Sequence, residues 1–454
     1  MFKTLQNAFK VKEIRNKIFF TFLMLVVIRL GSQVPVPGMD KDVVSSLFAG
    51  FSGSDAFNFF SAFTGGSLET MSLFALGINP YITSSIIMQL LTIAIPKLEE
   101  LQKDGETGRK KIAEITRYIT IALALIEGTA IAIGFGRQDV FGANISNKKF
   151  FLAVVVTVIT LTAGSALLMW IGERITENGV GNGISIILAI NIISRIPTDL
   201  VGLYESKVKI TETNGRAPLE AVLAAVIIIA VIVLIIAFVV ILQGGQRKIS
   251  VQYAKKMQGR KMAGGQSTHI PLKVNTAGVI PVIFASSLMQ FPVIISSLFG
   301  KNAGDGSVWG SILQFLSSGS WFDISDGLNS FKYTLGFIVY AVLVVAFAYF
   351  YTSITFNPIE VANNMKRQGG FVPGIRPGKP TEEYLTKILN HIVFIGATFL
   401  LIIVTVPLVF SGVFSASVSF LGTSIIIIVG VIIETLSKID SMMVVRNYKG
   451  FLND

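Results

Sequence analysis

The 454-residue chain is 52% hydrophobic and only 14% charged, with a mean hydropathy of +0.68. A soluble protein of this length cannot hide so much apolar surface, so the sequence reads as a polytopic membrane protein. Its formal charge of +11, from 38 Lys and Arg against 27 Asp and Glu, fits oriented loops and anionic headgroups. The absence of cysteine excludes disulfides, thiolate metal sites and cysteine nucleophiles, and two histidines, His269 and His391, do not make a metal cluster.

The chain opens on MFKTLQNAFKVKEIRNK, a basic amphipathic lead-in. No small-residue cleavage site follows the first apolar run, so no cleavable signal peptide is expected. Apolar runs of spanning length fall at 18–36, 71–95, 112–135, 149–171, 183–204, 217–242, 274–299, 333–356, 385–408 and 417–437, which predicts ten transmembrane helices. Most Lys and Arg then lie in the N-terminal segment, in alternate loops and in the C-terminal tail. The positive-inside rule therefore puts both ends in the cytoplasm.

Between the first two runs lies NFFSAFTGGSLET, residues 58–70, apolar but too short to cross a bilayer at about 1.5 Å per helical residue. It reads as an interfacial helix, the first half of a transporter's broken helix, or a re-entrant element. Gly65-Gly66 at membrane depth would need protein or water around the backbone.

Two predicted cytoplasmic loops are long and polar. Loop 243–273 carries Arg247, Lys248, Lys255, Lys256, Arg260, Lys261 and Lys273; loop 357–384 carries Lys366, Arg367, Arg376 and Lys379. They read either as positive-inside anchors or as finger-like docking loops for RNA or an acidic protein face.

Catalytic signatures are missing: no GxxxxGK[ST], HExxH or GxSxG occurs, so no enzymatic activity is expected. Arg29 and Glu434, near span ends, are expected to snorkel. Glu127 sits mid-span in IALALIEGTAIAIG and needs a partner or a wet cavity. Small polar residues mark two spans, Ser84, Ser85, Gln89 and Thr92 in the second and Asn275, Ser286, Ser287 and Gln290 in the seventh, where they commonly serve helix packing. Residue chemistry alone leaves open a secondary transporter with a discontinuous helix at 58–95, a channel and a membrane-embedded enzyme.

Six blocks carry a resemblance: FALGINPYITSSIIMQLLT (74–92), GETGRKKIAEITRY (105–118), GNGISIILA (181–189), GQSTHIPLKVNTAGVIPVIFASS (265–287), FNPIEVANNMKRQGGFVPGIRPG (356–378) and LGTSIIIIVGVIIE (421–434). In content and order they resemble the SecY family of protein-conducting channels.

The resemblance implies an all-α protein whose ten spans form two inverted, pseudo-symmetric five-helix halves, 1–204 and 205–454, around a central pore. It implies a bacterial plasma-membrane location and passage of unfolded secretory polypeptides, with lateral release of transmembrane segments into the lipid. It assigns a pore ring to Ile82, Ile86, Leu188, Ile192, Ile283 and Ile427, apolar side chains that dewet a narrow waist and hold no ion. It makes 57–67 a plug, with Phe57, Asn58, Phe59, Phe60, Ser61, Ala62, Phe63, Thr64, Gly65 and Gly66 under that ring. It sets a lateral gate between spans 2 and 7 at Ser85, Thr92, Glu127, Asn275, Ser286 and Ser287, with Thr92, Glu127 and Asn275 as a polar bridge. The implied partners are the small subunits SecE and SecG, the SecA motor ATPase, the ribosome, signal sequences and membrane lipids. Arg247, Lys248, Lys255, Lys256, Arg260, Lys261 and Arg376 are the docking residues. No cofactor or metal is implied.

Overall fold

The computed structural model describes residues 2–40, 43–44, 46, 61, 63–136, 140–141, 147–204, 218–253, 256–258, 261–263, 267–298, 308–316, 321, 334–414 and 423–450. Helices α1 (Phe2–Lys10) and α2 (Lys12–Gly31) are followed, among the described residues, by the mostly buried stretch 63–78. Then come α3 (Asn79–Ala94), α4 (Pro96–Lys103), α5 (Glu106–Gly136), α6 (Asn147–Asn178), α7 (Gly183–Leu203) and α8 (Pro218–Gly244). Strands β1 (Gln246–Tyr253), β2 (Lys256–Gln258), β3 (Lys261–Ala263) and β4 (Ser267–Lys273) lead into α9 (Ile280–Leu298), α10 (Val308–Leu316) and α11 (Thr334–Thr355). The chain continues through α12 (Pro358–Arg367), β5 (Gly370–Phe371), α13 (Lys379–Phe414) and α14 (Thr423–Gly450).

Among the described residues, four helical segments are each long and apolar enough to cross a membrane: Glu106–Gly136, Asn147–Asn178, Thr334–Arg367 and Lys379–Val406. Helices α3 and α4 form a bent pair, turned by 101° where Pro96 cannot donate to the α3 ladder. Asn182 starts α7, its Oδ1 accepting from the Ile184 amide at 3.1 Å, and Asn357 caps α12 ahead of Pro358.

The predicted span 71–95 is helical only from Asn79. Residues 71–73 instead lie beside 34–36: the Val36 amide donates to the Met71 carbonyl at 2.9 Å and the Leu73 amide to the Val34 carbonyl at 2.8 Å. Met71 adopts a φ of 41°, and Phe74, Ala75, Leu76 and Ile78 are buried. A folded turn inside the core needs the same apolar composition as a span, so hydropathy could not separate them. Residues 274–279 likewise precede α9 instead of belonging to it. Conversely, α5, α6, α13 and α14 run beyond their apolar stretches. Pairs such as Glu106–Lys110 at 2.9 Å and Arg174–Glu177 at 3.0 Å support the polar extensions.

The two basic loops are not independent fingers. Strand β1 pairs antiparallel with β4, Ile249 opposite Ile270, and with β5, Gln252 opposite Phe371, giving the order β4-β1-β5. Strands β2 and β3 pair as a separate hairpin. Ile249 and Val251 alternate into an apolar cluster with Leu272, Met365, Leu385 and Ile392, which seats the sheet on α12 and α13.

Three larger apolar clusters organise the bundle. One, with Leu76, Phe135 and Leu161, draws only on residues before 162; another, with Val239, Val344 and Ile403, draws mainly on residues after 230. The third joins both parts of the chain through α3, α7, α9 and α14. Helix α14 packs on both α7 and α8, and α9 packs on α11 and α5 with at most slight contact to α3.

Candidate functional site: an apolar waist and the segment below it

The i, i+4 spacing of Ile82 and Ile86 on α3, and of Leu188 and Ile192 on α7, puts each pair on one helix face. In the fold those faces meet Ile283 of α9 and Ile427 of α14. All six residues belong to the cluster shared by the two parts of the chain. Leu188, Ile192, Ile283 and Ile427 are buried, and Ile82 and Ile86 are partly buried against them.

A cavity of about 480 Å³ opens on one side of this waist. Ile82, Leu188, Ile283 and Ile427 form part of its lining, together with Ser85, Gln89, Asn182 and Glu177. The Arg117 Nε–H donates to Glu173 Oε1 at 2.8 Å in the same wall. The site is thus a partly charged recess ending on branched aliphatic side chains. Four side chains from four helices close it, which suits a passage that admits a flexible apolar or polar chain but offers no ligand to an ion.

On the other side of the waist lies the segment predicted as a plug. Phe57, Asn58, Phe59, Phe60 and Ala62 fall outside the described residues; Ser61 and Phe63 to Gly66 are described. Phe63 is buried in the same cluster as the six waist residues. The Gly66 amide donates to the Ser61 carbonyl at 3.0 Å and Thr64 Oγ1 donates to the same carbonyl at 3.1 Å, closing the last turn of a helix whose described residues are Ser61, Phe63 and Thr64. Gly65, with a φ of +66°, follows; a Cβ there would sit 2.8 Å from Arg29 Nη1 and 3.0 Å from Asn191 Cα.

Three polar side chains missed or misread in the sequence hold this turn. Arg29 does not snorkel: its guanidinium points inward and donates to Asn191 Oδ1 and to the Gly65 carbonyl, each at 3.4 Å. Asn191 Nδ2 donates to the Phe63 carbonyl at 3.1 Å. Arg195 donates to Ser61 Oγ and pairs with Glu69. The available signal was the i, i+4 polar pair Asn191 and Arg195 inside the otherwise apolar run ISIILAINIISRIP, beginning at Ile184.

The predicted gate residues do not form one hydrogen-bonded set among the described residues. Ser85 accepts from Gln89 Nε2 at 3.3 Å, and Thr92 Oγ1 donates to the Met88 carbonyl of its own helix at 2.6 Å. Asn275 Nδ2 is buried without a partner, and no hydrogen bond joins Glu127 to Thr92 or Asn275. Ser286 turns to α11, its hydroxyl 3.3 Å from that of Tyr340, and Ser287 is half-buried. The seam between α3 and α9 is thus lightly bonded, bordered by the recess.

Arg247 and Lys248 stand exposed on β1, and Arg376 is exposed in the turn before α13, where its carbonyl accepts from Thr381 Oγ1 at 2.8 Å. Lys256 and Lys261 lie on β2 and β3; Lys255 and Arg260 fall outside the described residues.

A helical bundle whose two parts meet at an apolar waist, with a partly polar recess on one side and a pinned turn on the other, has the form expected of a membrane passage. The SecY family profile matches residues 72–436. A protein translocase subunit SecY of Halalkalibacterium halodurans is 42% identical over 457 residues, covering 100% of each chain. A solved SecY channel, whose plug domain is described as stabilising the closed state and maintaining a membrane seal, superposes with a TM-score of 0.63 at 19% identity, covering 94% of this chain and 91% of that one. Sec61 in the canine ribosome–channel complex from the endoplasmic reticulum superposes with a TM-score of 0.59 at 18% identity and the same coverage.

The chain belongs to the SecY family of protein translocase subunits, a family of membrane channel subunits and not of enzymes. Membership displaces the transporter reading that residue chemistry had left open.

Proposed function

We propose that this chain forms the polypeptide-conducting pore of a bacterial plasma-membrane translocase. Unfolded secretory chains enter the recess, pass the ring of Ile82, Ile86, Leu188, Ile192, Ile283 and Ile427, and leave past a displaced plug, 57–67. Ten spans in two five-helix halves, 1–204 and 205–454, with both termini cytoplasmic, provide the frame. Transmembrane segments leave sideways between α3 and α9, past Ser85, Thr92, Glu127, Asn275 and Ser287. The basic loops dock the ribosome or the SecA motor, and SecE and SecG brace the halves. The single observation that carries this reading is the convergence of six aliphatic side chains from four helices, with Phe63 packed in the same cluster.

A branched aliphatic ring suits this task because it is indifferent to the sequence passing through it and dewets when empty. A signal sequence inserting at the seam buries apolar surface worth about 25 cal/mol per Å². Against it stand interhelical polar contacts worth about 1 kcal/mol each, so a lightly bonded seam opens readily.

The test is site-specific photocrosslinking of an arrested secretory chain in membranes. Crosslinks at 82, 86, 188, 192, 283 and 427, with few on the opposite helix faces, are expected. Uniform labelling of all faces, or none at the ring, overturns the pore assignment.

A further inference from the structure

We infer that Arg29, Asn191, Arg195 and Glu69 form a polar latch that sets how readily the segment below the waist is released. The inference rests on the channel reading above and assigns the regulation of its resting state to residues outside the ring and the plug.

The geometry has two arms. In one, Asn191 of α7 donates to the Phe63 carbonyl at 3.1 Å while Arg29 of α2 donates both to Asn191 Oδ1 and to the Gly65 carbonyl. In the other, Arg195 of α7 grips Ser61 Oγ and the Glu69 carboxylate, and Ser61 Oγ itself donates to Glu69 Oε1 at 2.7 Å. The Arg195 side chain is only 14% exposed. A guanidinium so enclosed is costly without a partner; the Glu69 carboxylate supplies one, and Ser61 Oγ ties that pair to the turn. Two acceptors are backbone carbonyls at Phe63 and Gly65, so this grip depends on the turn's shape and hardly on its side chains.

The latch is coupled to the waist by a single helix. Leu188 and Ile192 of the ring and Asn191 and Arg195 of the latch all project from α7, within two turns. An outward shift of α7 that widens the waist also carries Asn191 and Arg195 away from the turn. Release and opening are therefore one movement, with no separate trigger needed for the plug. Arg29 supplies the opposing fixed point from α2. Charge-assisted bonds of this kind shift an equilibrium by roughly tenfold or more each.

The test uses the natural lack of cysteine. A Cβ at Gly77 would lie 3.8 Å from Thr64 Cβ, the separation a disulfide needs. In a Thr64→Cys, Gly77→Cys background, the rate of oxidative crosslinking in membranes reports residence of the turn, whether or not polypeptides pass. Arg195→Gln is expected to slow crosslinking, by no more than its roughly tenfold shift of the seating equilibrium because the rate follows the seated fraction, and Arg195→Lys to recover much of the rate. The reciprocal pair Arg195→Glu with Glu69→Arg is expected to recover it where either single change does not. Asn191→Leu, which leaves every charge in place, tests the other arm and is expected to slow the rate as well. Unchanged rates in both Arg195→Gln and Asn191→Leu overturn the latch, as does failure of both Arg195→Lys and the reciprocal pair to recover any rate. Failure of the arrested-chain crosslinks at the ring would remove the channel reading while leaving this measurement intact.

Discussion

The hydroxyl of Ser286 lies 3.3 Å from that of Tyr340, both buried, so α9 is tied to α11 on the side away from the α3 seam. Tyr340 also packs against Trp321, ring centroids 5.4 Å apart, which fixes the ring that holds the bond. A small hydroxyl expected to serve the gate thus faces α11. Tyr340→Phe keeps the ring and strands the serine, at a cost of about 1 kcal/mol. Unfolding in mixed detergent micelles should show that loss, and a double-mutant cycle with Ser286→Ala should show the two changes to be non-additive. Full additivity would mean the bond carries no energy.

Gly65 and Gly66 both adopt positive φ, +66° and +81°, but only Gly65 is crowded. Alanine at either position pays a left-handed backbone cost of about 1 kcal/mol. At Gly65 the new methyl also meets Asn191 backbone, which cannot give way as a flexible side chain can. Gly65→Ala should therefore raise ion leak through resting membranes well above Gly66→Ala, while both proteins insert normally. Equal leak in the two variants would remove the steric argument.

At the waist, Ile283 is 8% exposed and borders both the recess and the apolar cluster. Ile283→Asn places a hydrogen-bonding amide where dewetting is needed, so single-channel recordings should show spontaneous conductance. Ile283→Val removes one methylene, costs about 1 kcal/mol of packing and should stay tight. A tight Asn variant would show that the seal lies elsewhere.

Among the described residues, Arg376 gives its carbonyl to Thr381 while its side chain is exposed. Arg376→Glu should therefore leave the turn before α13 intact and reverse the charge offered to a partner. Motor-dependent export should fall to background in inverted vesicles, with normal protein levels. Wild-type export would exclude this side chain from docking.

Much of this site was legible in the sequence, but by unequal routes. The ring positions are chemically identical to the Ile, Leu and Val that face lipid, so only the likeness of whole sequence blocks to a known family singled them out; burial of Leu188, Ile192 and Ile427 is a property of the assembled bundle. The sheet was missed: QRKISVQY alternates, with Ile249 and Val251 the buried pair, yet its basic residues made it read as part of a polar loop. Arg29 was misread because its partner Asn191 is 162 residues away, and an arginine near a span end looks the same whether it reaches out or in. The second span was drawn eight residues too long because apolar composition does not distinguish a buried turn from a helix; the strained Met71 marks where the two differ.

The pairing of β1 with β5 has a mechanical meaning. Gly370 sits where any larger residue would strike the Tyr253 ring, 2.8 Å from a Cβ, so the two loops are stitched at their closest approach. Beyond the stitch, α13 runs for 36 residues without a break, about 54 Å of rod against a hydrocarbon core of about 30 Å. A force on either loop is thus shared with the other and reaches the near end of α13, a rod long and apolar enough to cross a bilayer.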